Sequence, residues 1–437
     1  MKPHRFLERL AQAELAPAYG FVTKVAPGLI EASGPAGAPG DLCAIGDGEG
    51  GIAAEIVSVD TRSVVLLPLE AEADIAPGAR VVARGTRALA PVGDGFAGRA
   101  IDALAQPIDG GPAILAGAHV PLGGTVPRPL DRTDPSRILE TGLRAIDALL
   151  TLGVGQRVGV FAASGVGKTS LVEQLVTQVI ADRCVLCLVG ERGREVESLW
   201  RLLARRADAA RFTLVASTSD ESAALRARSV QQALALAEHW RARGEHVVLM
   251  VDSITRVAMA LREIGLAAGA PPTVRAYTPN VFASLPRLVE RCGALAAGGA
   301  ITAIMTVLSE TDDVDDPIVE LMKSLLDGHI VLARTLAEQG HFPAIDVPRS
   351  ISRRADMLMS AEHSAAMREA GALLSAYDEA RVMIESGVYR AGGNPALDRA
   401  IALRPALLGF LRQRRDEQVT AREAVRALVT LVGSARA

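Results

Sequence analysis

Short apolar runs broken by turn residues dominate positions 19–88. Segments 20–25, 51–57 and 63–67 carry the runs, and Pro-Gly pairs stand at 27–28, 39–40 and 77–78. That spacing predicts a small β-barrel. Between positions 89 and 356 apolar strands alternate with helical patterns, which predicts a mostly parallel sheet flanked by helices. After Met357 the Leu/Ala-rich periodicity is helical to the end of the chain. Ahead of the barrel, Phe6, Leu7, Leu10 and Ala11 share one face of a short helix, opposite Arg5, Glu8, Arg9 and Gln12. The pattern predicts an α/β chain in four parts: an amphipathic helix (1–18), a β-barrel (19–88), a sheet domain (89–356) and a helical domain (357–437).

The sheet domain carries the most specific chemistry. The apolar run 158–161 leads into Ala162-Ala163-Ser164-Gly165-Val166-Gly167-Lys168-Thr169, and Ser170 opens a segment with apolar residues at helical spacing. A strand, a glycine-rich turn, Lys-Thr and a helix make a phosphate-binding loop. Gly165 and Gly167 let successive backbone N–H groups face one concavity, which side chains would obstruct. The helix N-terminus adds partial positive charge. Lys168 is placed to reach β/γ-phosphates, and the Thr169 hydroxyl to ligate Mg²⁺. The first glycine usual in this motif is Ala162 here, but the cradle comes from the later residues, Ser164 to Ser170. The chain is expected to bind a nucleoside triphosphate.

Two further strand ends bear on that site. The apolar stretch 247–252 ends in Asp252, placed to act as a magnesium carboxylate beside Thr169; the plainer role is capping the helix that follows. Between the two, 188–195 reads Leu-Val-Gly-Glu-Arg-Gly-Arg-Glu. Glu191 is placed to polarise an attacking water and Arg192 to meet γ-phosphate charge, unless both belong to a surface ion-pair cluster.

Composition excludes several classes. A chain of 437 residues exceeds a single core. Its net charge of −3, with two Trp, four Tyr and eight Phe, makes no case for a nucleic-acid partner. No apolar run approaches the roughly 20 residues that span a bilayer. The N-terminus lacks the apolar core of a secretory signal, so a cytoplasmic protein is expected. Cys184 and Cys187 form a C-x-x-C inside an apolar strand, where they face opposite sides; buried thiols are expected rather than a metal or redox pair.

The strings GERGRE, DSITR, REIGLAAG, VFASLPRLVERCG, DGHIVLARTLAEQGHFPAIDV and SISR resemble the flagellar and injectisome export ATPases of type III secretion. These are relatives of the catalytic subunit of rotary ATP synthases, and the resemblance spans residues 20–410. It implies a RecA-like phosphate-loop core that hydrolyses ATP with Mg²⁺. Lys168 and Thr169 match the phosphate and magnesium ligands, Glu191 the water-activating glutamate, and Asp252 the strand-end magnesium carboxylate. Arg192 and Arg256 match positions near the γ-phosphate. Arg353 matches an arginine finger inserted by a neighbouring subunit, which implies a homohexameric ring. Phe342 matches an aromatic that packs on adenine, with Tyr389 as the candidate for the other side of the base.

The resemblance also implies partners. A regulatory stator dimer would dock on the N-terminal helix, and a coiled-coil stalk would enter the central pore. Export substrates and their chaperones would meet the C-terminal domain. There Arg404, Arg412, Arg414, Arg415, Arg422, Arg426 and Arg436 outnumber three acids after residue 400. The first ten residues hold three Lys/Arg and one acid, so membrane contact would be peripheral and weak. The export apparatus at the inner membrane is the expected location. In segment 275–280, Ala276 and Thr278 depart from the Gly-Tyr-Pro-Pro usual in the family, which bears on pore contacts with the stalk.

Three other classes fit less well. In rotary synthases the water-activating glutamate and the finger are divided between two subunits, whereas this chain carries both. A transcription-termination helicase needs a basic, aromatic N-terminal barrel, yet residues 1–90 hold 8 Lys/Arg against 11 Asp/Glu, with only Phe6, Tyr19 and Phe21 as aromatics. An adaptor with incidental ATPase activity has only the arginine-rich C-terminus in its favour. Val166, with segments 67–69 and 75–78, favours the flagellar over the injectisome branch.

Overall fold

The computed structural model describes residues 18–26, 28–46, 51–70, 74–84, 89–309 and 316–433. The helix expected within 1–18 falls almost wholly outside them. Six short strands close a barrel: β1 (Tyr19–Ala26), β2 (Leu29–Ala32), β3 (Leu42–Ile45), β4 (Ile52–Val59), β5 (Val64–Pro68) and β6 (Arg80–Ala83), in the order β1-β2-β5-β4-β3-β6. All pairings are antiparallel. Alternate residues point inward, so Val22, Ile30, Ile45, Ile56, Leu66 and Val81 fill the interior. Closure leaves no free sheet edge.

The stretch after the barrel departs from the expected alternation. β7 (Leu89–Val92) pairs antiparallel with β9 (Ala118–Pro121), and β8 (Ala100–Ile101), β9 and β10 (Arg132–Thr133) follow β7 with no α-helix until Arg144. Regular alternation begins at α1 (Arg144–Leu149). It continues with β11 (Arg157–Ala162), α2 (Lys168–Gln178), β12 (Arg183–Glu191), α3 (Gly193–Ala204), β13 (Phe212–Thr218), α4 (Ala223–Arg241), β14 (His246–Asp252), α5 (Ile254–Ala267) and α6 (Pro279–Glu290). Then follow β15 (Gly293–Leu295), β16 (Ala300–Leu308), α7 (Pro317–Leu325), β17 (Gly328–Val331), α8 (Arg334–Glu338) and β18 (Ile351–Ser352). The early apolar runs are strands without helices because Gly and Pro interrupt them every few residues.

The central sheet runs β18-β17-β11-β16-β14-β12-β13-β8, parallel except for β18. Its strands are apolar on both faces because helices cover both. In β12, Cys184, Leu186 and Leu188 join one core and Val185, Cys187 and Val189 the other. The two cysteines thus face opposite layers, free and buried, and burial pushes each thiol up to about 12. Three helices finish the chain: α9 (Ala361–Glu385), α10 (Pro395–Leu411) and α11 (Ala421–Gly433), packed on the face formed by α1.

Candidate active site

The phosphate loop leaves the sheet at the carboxyl end of β11, where open α/β sheets place their ligands. Ala162 is the last strand residue, in register with Leu308, and its carbonyl accepts the Ser309 N–H at 3.0 Å. A strand residue needs no glycine, which accounts for the departure from the motif. Gly165 and Gly167 do adopt left-handed backbone, with φ of +81° and +92°. Between them Val166 is 1% exposed and pins the loop to the core. Ser164 and Gly165 are exposed, and α2 starts at Lys168 with Thr169 and Ser170 in its first turn. First-turn N–H groups have no partner within the helix and face the loop's mouth.

Lys168, Glu191 and Asp252 converge below that mouth. Glu191 ends β12 and Asp252 ends β14, two paired strands, and both carboxylates are buried. Lys168 Nζ pairs with Asp252 Oδ1 and lies 3.4 Å from Glu191 Oε1. Thr306 Oγ1 donates to Asp252 Oδ1 at 2.6 Å, fixing that carboxylate. Arg256 Nε stands 3.4 Å from Glu191 Oε1. Ser253 caps α5 by accepting the Arg256 N–H, so the helix start sets where Arg256 points. Burial holds the Glu191 carboxyl above its usual range; the Lys168 charge opposes this, Asp252 adds to it and Arg256 opposes it again.

The other expected site residues are scattered. Arg192 caps α3 with an exposed side chain that forms no hydrogen bond or ion pair among the described residues. Phe342 is 45% exposed and sits against the loop, where a Cβ on Gly167 would come 3.2 Å from its ring. Tyr389 is not at the nucleotide cavity. Its hydroxyl lies 2.9 Å from Asp398 Oδ1 and 3.2 Å from the Asn394 N–H, closing the turn between α9 and α10. Arg353 follows β18, whose Ser352 pairs with Gly328, itself paired with Val158 at the start of β11. It therefore stands at the opposite end of the sheet from Lys168 of its own chain.

Residues 412–417 supply what the sequence reading missed. A cavity of about 500 Å³ is bounded by Gly165, Gly167 and Ser170 on one side, Phe342 and Pro343 on another, and Arg412 to Arg415 on the third. Arg415 hydrogen-bonds Ser170 Oγ and lies 3.4 Å from Glu173. Gln413 donates its N–H to the Phe342 carbonyl at 3.0 Å and its amide to the Gly142 carbonyl at 2.6 Å. Three arginines expected on a partner-facing surface line this cavity instead. Contacts between residues far apart in sequence bring them there, Arg415 with Ser170 among them, and no local pattern announces it. Gly190 was also missed: at φ +66°, it carries no Cβ that would meet Arg256 Cδ at 2.9 Å. In the segment 275–280, Ala276 is exposed but Thr278 is buried at the start of α6, so Thr278 offers nothing to a pore partner.

No group of three or more His, Cys, Asp or Glu among the described residues is arranged to hold a metal. Asp252 and the Thr169 hydroxyl are hard oxygen donors, too few for a protein cage, and fit an ion that keeps water and phosphate oxygens.

A phosphate loop, a buried strand-end Glu and a strand-end Asp at the switch point of a parallel sheet define a phosphate-loop nucleoside triphosphatase. Residues 142–352 match the nucleotide-binding domain of the ATP synthase alpha/beta family. Residues 359–430 match the type III secretion EscN ATPase C-terminal domain. The chain is 42% identical to the flagellum-specific ATP synthase of Bacillus subtilis, over 99% of this chain and 100% of the relative. It is also 42% identical to the type 3 secretion system ATPase of Sinorhizobium fredii, over 91% of this chain and 88% of the relative. The assembled ATPase EscN of the enteropathogenic E. coli type III secretion system superposes with a TM-score of 0.90 at 38% identity. That match covers 94% of this chain and all of the other. The chain belongs to the flagellar and type III secretion ATPases and hydrolyses ATP to serve protein export.

Proposed function

We propose that the chain acts as a homohexameric ring whose active sites are completed in trans, each copy lending Arg353 to its neighbour. The observation that carries this reading is the separation of Arg353 from Lys168 across the full sheet of one chain. A finger that cannot serve its own site needs a second copy. The solved relative described as the assembled ATPase EscN agrees, and another is complexed with its central stalk EscO, at a TM-score of 0.86 and 36% identity. A coiled-coil stalk in the pore is proposed here on that likeness. A stator dimer at the N-terminal helix and substrates with chaperones at the C-terminal helices complete the proposed assembly, held at the inner-membrane export apparatus. No helix among the described residues is long and apolar enough to cross a membrane.

In this reading the loop N–H groups and Lys168 bind the β/γ-phosphates, and Lys168 leaves its carboxylate partners to do so. Thr169 and Asp252 would hold Mg²⁺, which when bound would supply positive charge to neutralise the phosphate oxygens. Glu191 orients the in-line water and takes its proton. Arg256, Arg192 and the neighbour's Arg353 meet charge on the equatorial oxygens. Phe342 packs on the base.

The test is steady-state hydrolysis against protein concentration, with Glu191→Gln and Arg353→Ala alone and mixed. Specific activity should rise with concentration, each variant should lose about 10³-fold or more, and the mixture should regain activity. Activity independent of concentration, with Arg353→Ala fully active, would remove the shared site.

A further inference from the structure

Arg353 is held by a buried side chain at the foot of the strand that carries the phosphate loop. Gln156, 1% exposed, immediately precedes β11. Its amide donates to the Asp327 carbonyl at 3.2 Å and to Ser352 Oγ at 3.0 Å, while its own oxygen accepts the Gly153 N–H at 2.8 Å. The same Asp327 carbonyl accepts the Arg353 N–H at 2.9 Å, and Ser352 Oγ donates onward to the Thr151 carbonyl at 2.8 Å. Both amide protons of one glutamine thus end on the two groups that set the Arg353 backbone. The close approach needs Gly328, where a Cβ would meet the Ile351 carbonyl at 2.6 Å. Next along, Arg157 grips the Asp327 carboxylate through its backbone N–H, Nε and Nη2 at 3.0 to 3.1 Å and reaches Glu290 at 2.7 Å. The Arg353 guanidinium leaves this brace outward, exposed, with Nη2 on the Lys323 carbonyl at 3.1 Å.

We propose that Gln156 is a positioning residue for hydrolysis in the neighbouring copy: it clasps Asp327 and Ser352 and so aims Arg353 across the interface. The proposal rests on the reading of Arg353 as a finger donated in trans. β11 then has a role at each end. Its carboxyl end presents the phosphate loop of one site, and its amino end, about 20 Å away, braces the finger of the next. Six residue pairs hold β11 to β16 and four hold it to β17, so a shift at the loop is carried along a stiff strand.

The experiment is complementation in the full-length protein. Gln156→Ala should lower kcat by about 10²-fold, as an angstrom-scale misplacement does, with KM for ATP and binding of a fluorescent ADP analogue within about twofold. Mixed with Glu191→Gln, whose finger is intact, Gln156→Ala should regain activity; mixed with Arg353→Ala it should not. Ser352→Ala removes the clasp from a half-buried position and carries the same test should Gln156→Ala fail to fold. The proposal is overturned if Ser352→Ala keeps wild-type kcat. It is overturned equally if Glu191→Gln restores Arg353→Ala but neither clasp variant. If Glu191→Gln does not restore Arg353→Ala itself, the finger reading falls first and takes the clasp with it.

Discussion

Gly190 shows how much of the site depends on a missing side chain. Its left-handed backbone turns β12 at its end so that Glu191 faces Lys168, and the absent Cβ leaves room for Arg256. Gly190→Ala should cost about 1–2 kcal/mol of stability from the backbone alone and push Arg256 off Glu191. We expect kcat to fall at least about tenfold while nucleotide binding persists, read by steady-state kinetics beside a thermal melt. His246 argues the opposite case, of a polar group buried for structure. Burial, helped by the charge of Arg137, lowers its imidazole to about 4, and its Nε2 lies 2.8 Å from Thr302 Oγ1. A depressed imidazole is neutral in the fold but titrates near 6.5 once unfolded. Stability is therefore complete above about pH 6.5 and declines as pH falls toward 4, by up to about 3 kcal/mol. Thermal midpoints of the wild type against His246→Asn between pH 7 and pH 4 should diverge, the wild type falling more steeply.

At the scale of elements, the nucleotide cavity is a meeting of α2, the Phe342 turn and the link between α10 and α11. The dense motif around Phe342 singles it out in the sequence, and the structure sets it against the loop glycine, a place from which the proposed packing on the base is possible. Stacking on a base is worth about 1–3 kcal/mol, so Phe342→Ala should raise KM for ATP about tenfold with kcat within about twofold. Tyr389 is the control. It closes a turn through Asp398 and Asn394, so Tyr389→Phe should leave KM unchanged and lower the melting temperature of the helical domain. An aromatic at the right distance in sequence could have reached the base. What decided against it was a local carboxylate and amide that satisfy its hydroxyl first. Arg415 is the converse: it belongs to the cavity through Ser170 and Glu173, on an element far away in the chain.

Across the whole molecule, the parallel sheet is a spacer with chemistry at both ends. Its carboxyl end gathers Lys168, Glu191 and Asp252; its amino end carries Arg353 on the brace of Gln156, Arg157 and Asp327. Burying both faces of that sheet makes it stiff, and stiffness keeps the two ends apart. The trans finger proposed for Arg353 rests on this distance, and so does the expected regain of activity on mixing Glu191→Gln with Arg353→Ala.

The sequence by itself determined what is encoded within about ten neighbouring residues. It specified the closed barrel from its short runs and turns, the strands buried on both faces, the opposed cysteines of β12 and the phosphate loop with its left-handed glycines. It also marked the carboxylates at two strand ends, because a buried apolar strand must end at a turn, where a charged group can first be tolerated. Only the tertiary structure decided which ends meet. Strand order put β12 and β14 side by side and sent β18 to the far edge. The docking of the last three helices brought Arg412 to Arg415 over Ser170 and left Tyr389 outside. Those outcomes depend on the summed packing of many apolar faces, each of which fits several neighbours on its own, so no single segment of sequence contains them.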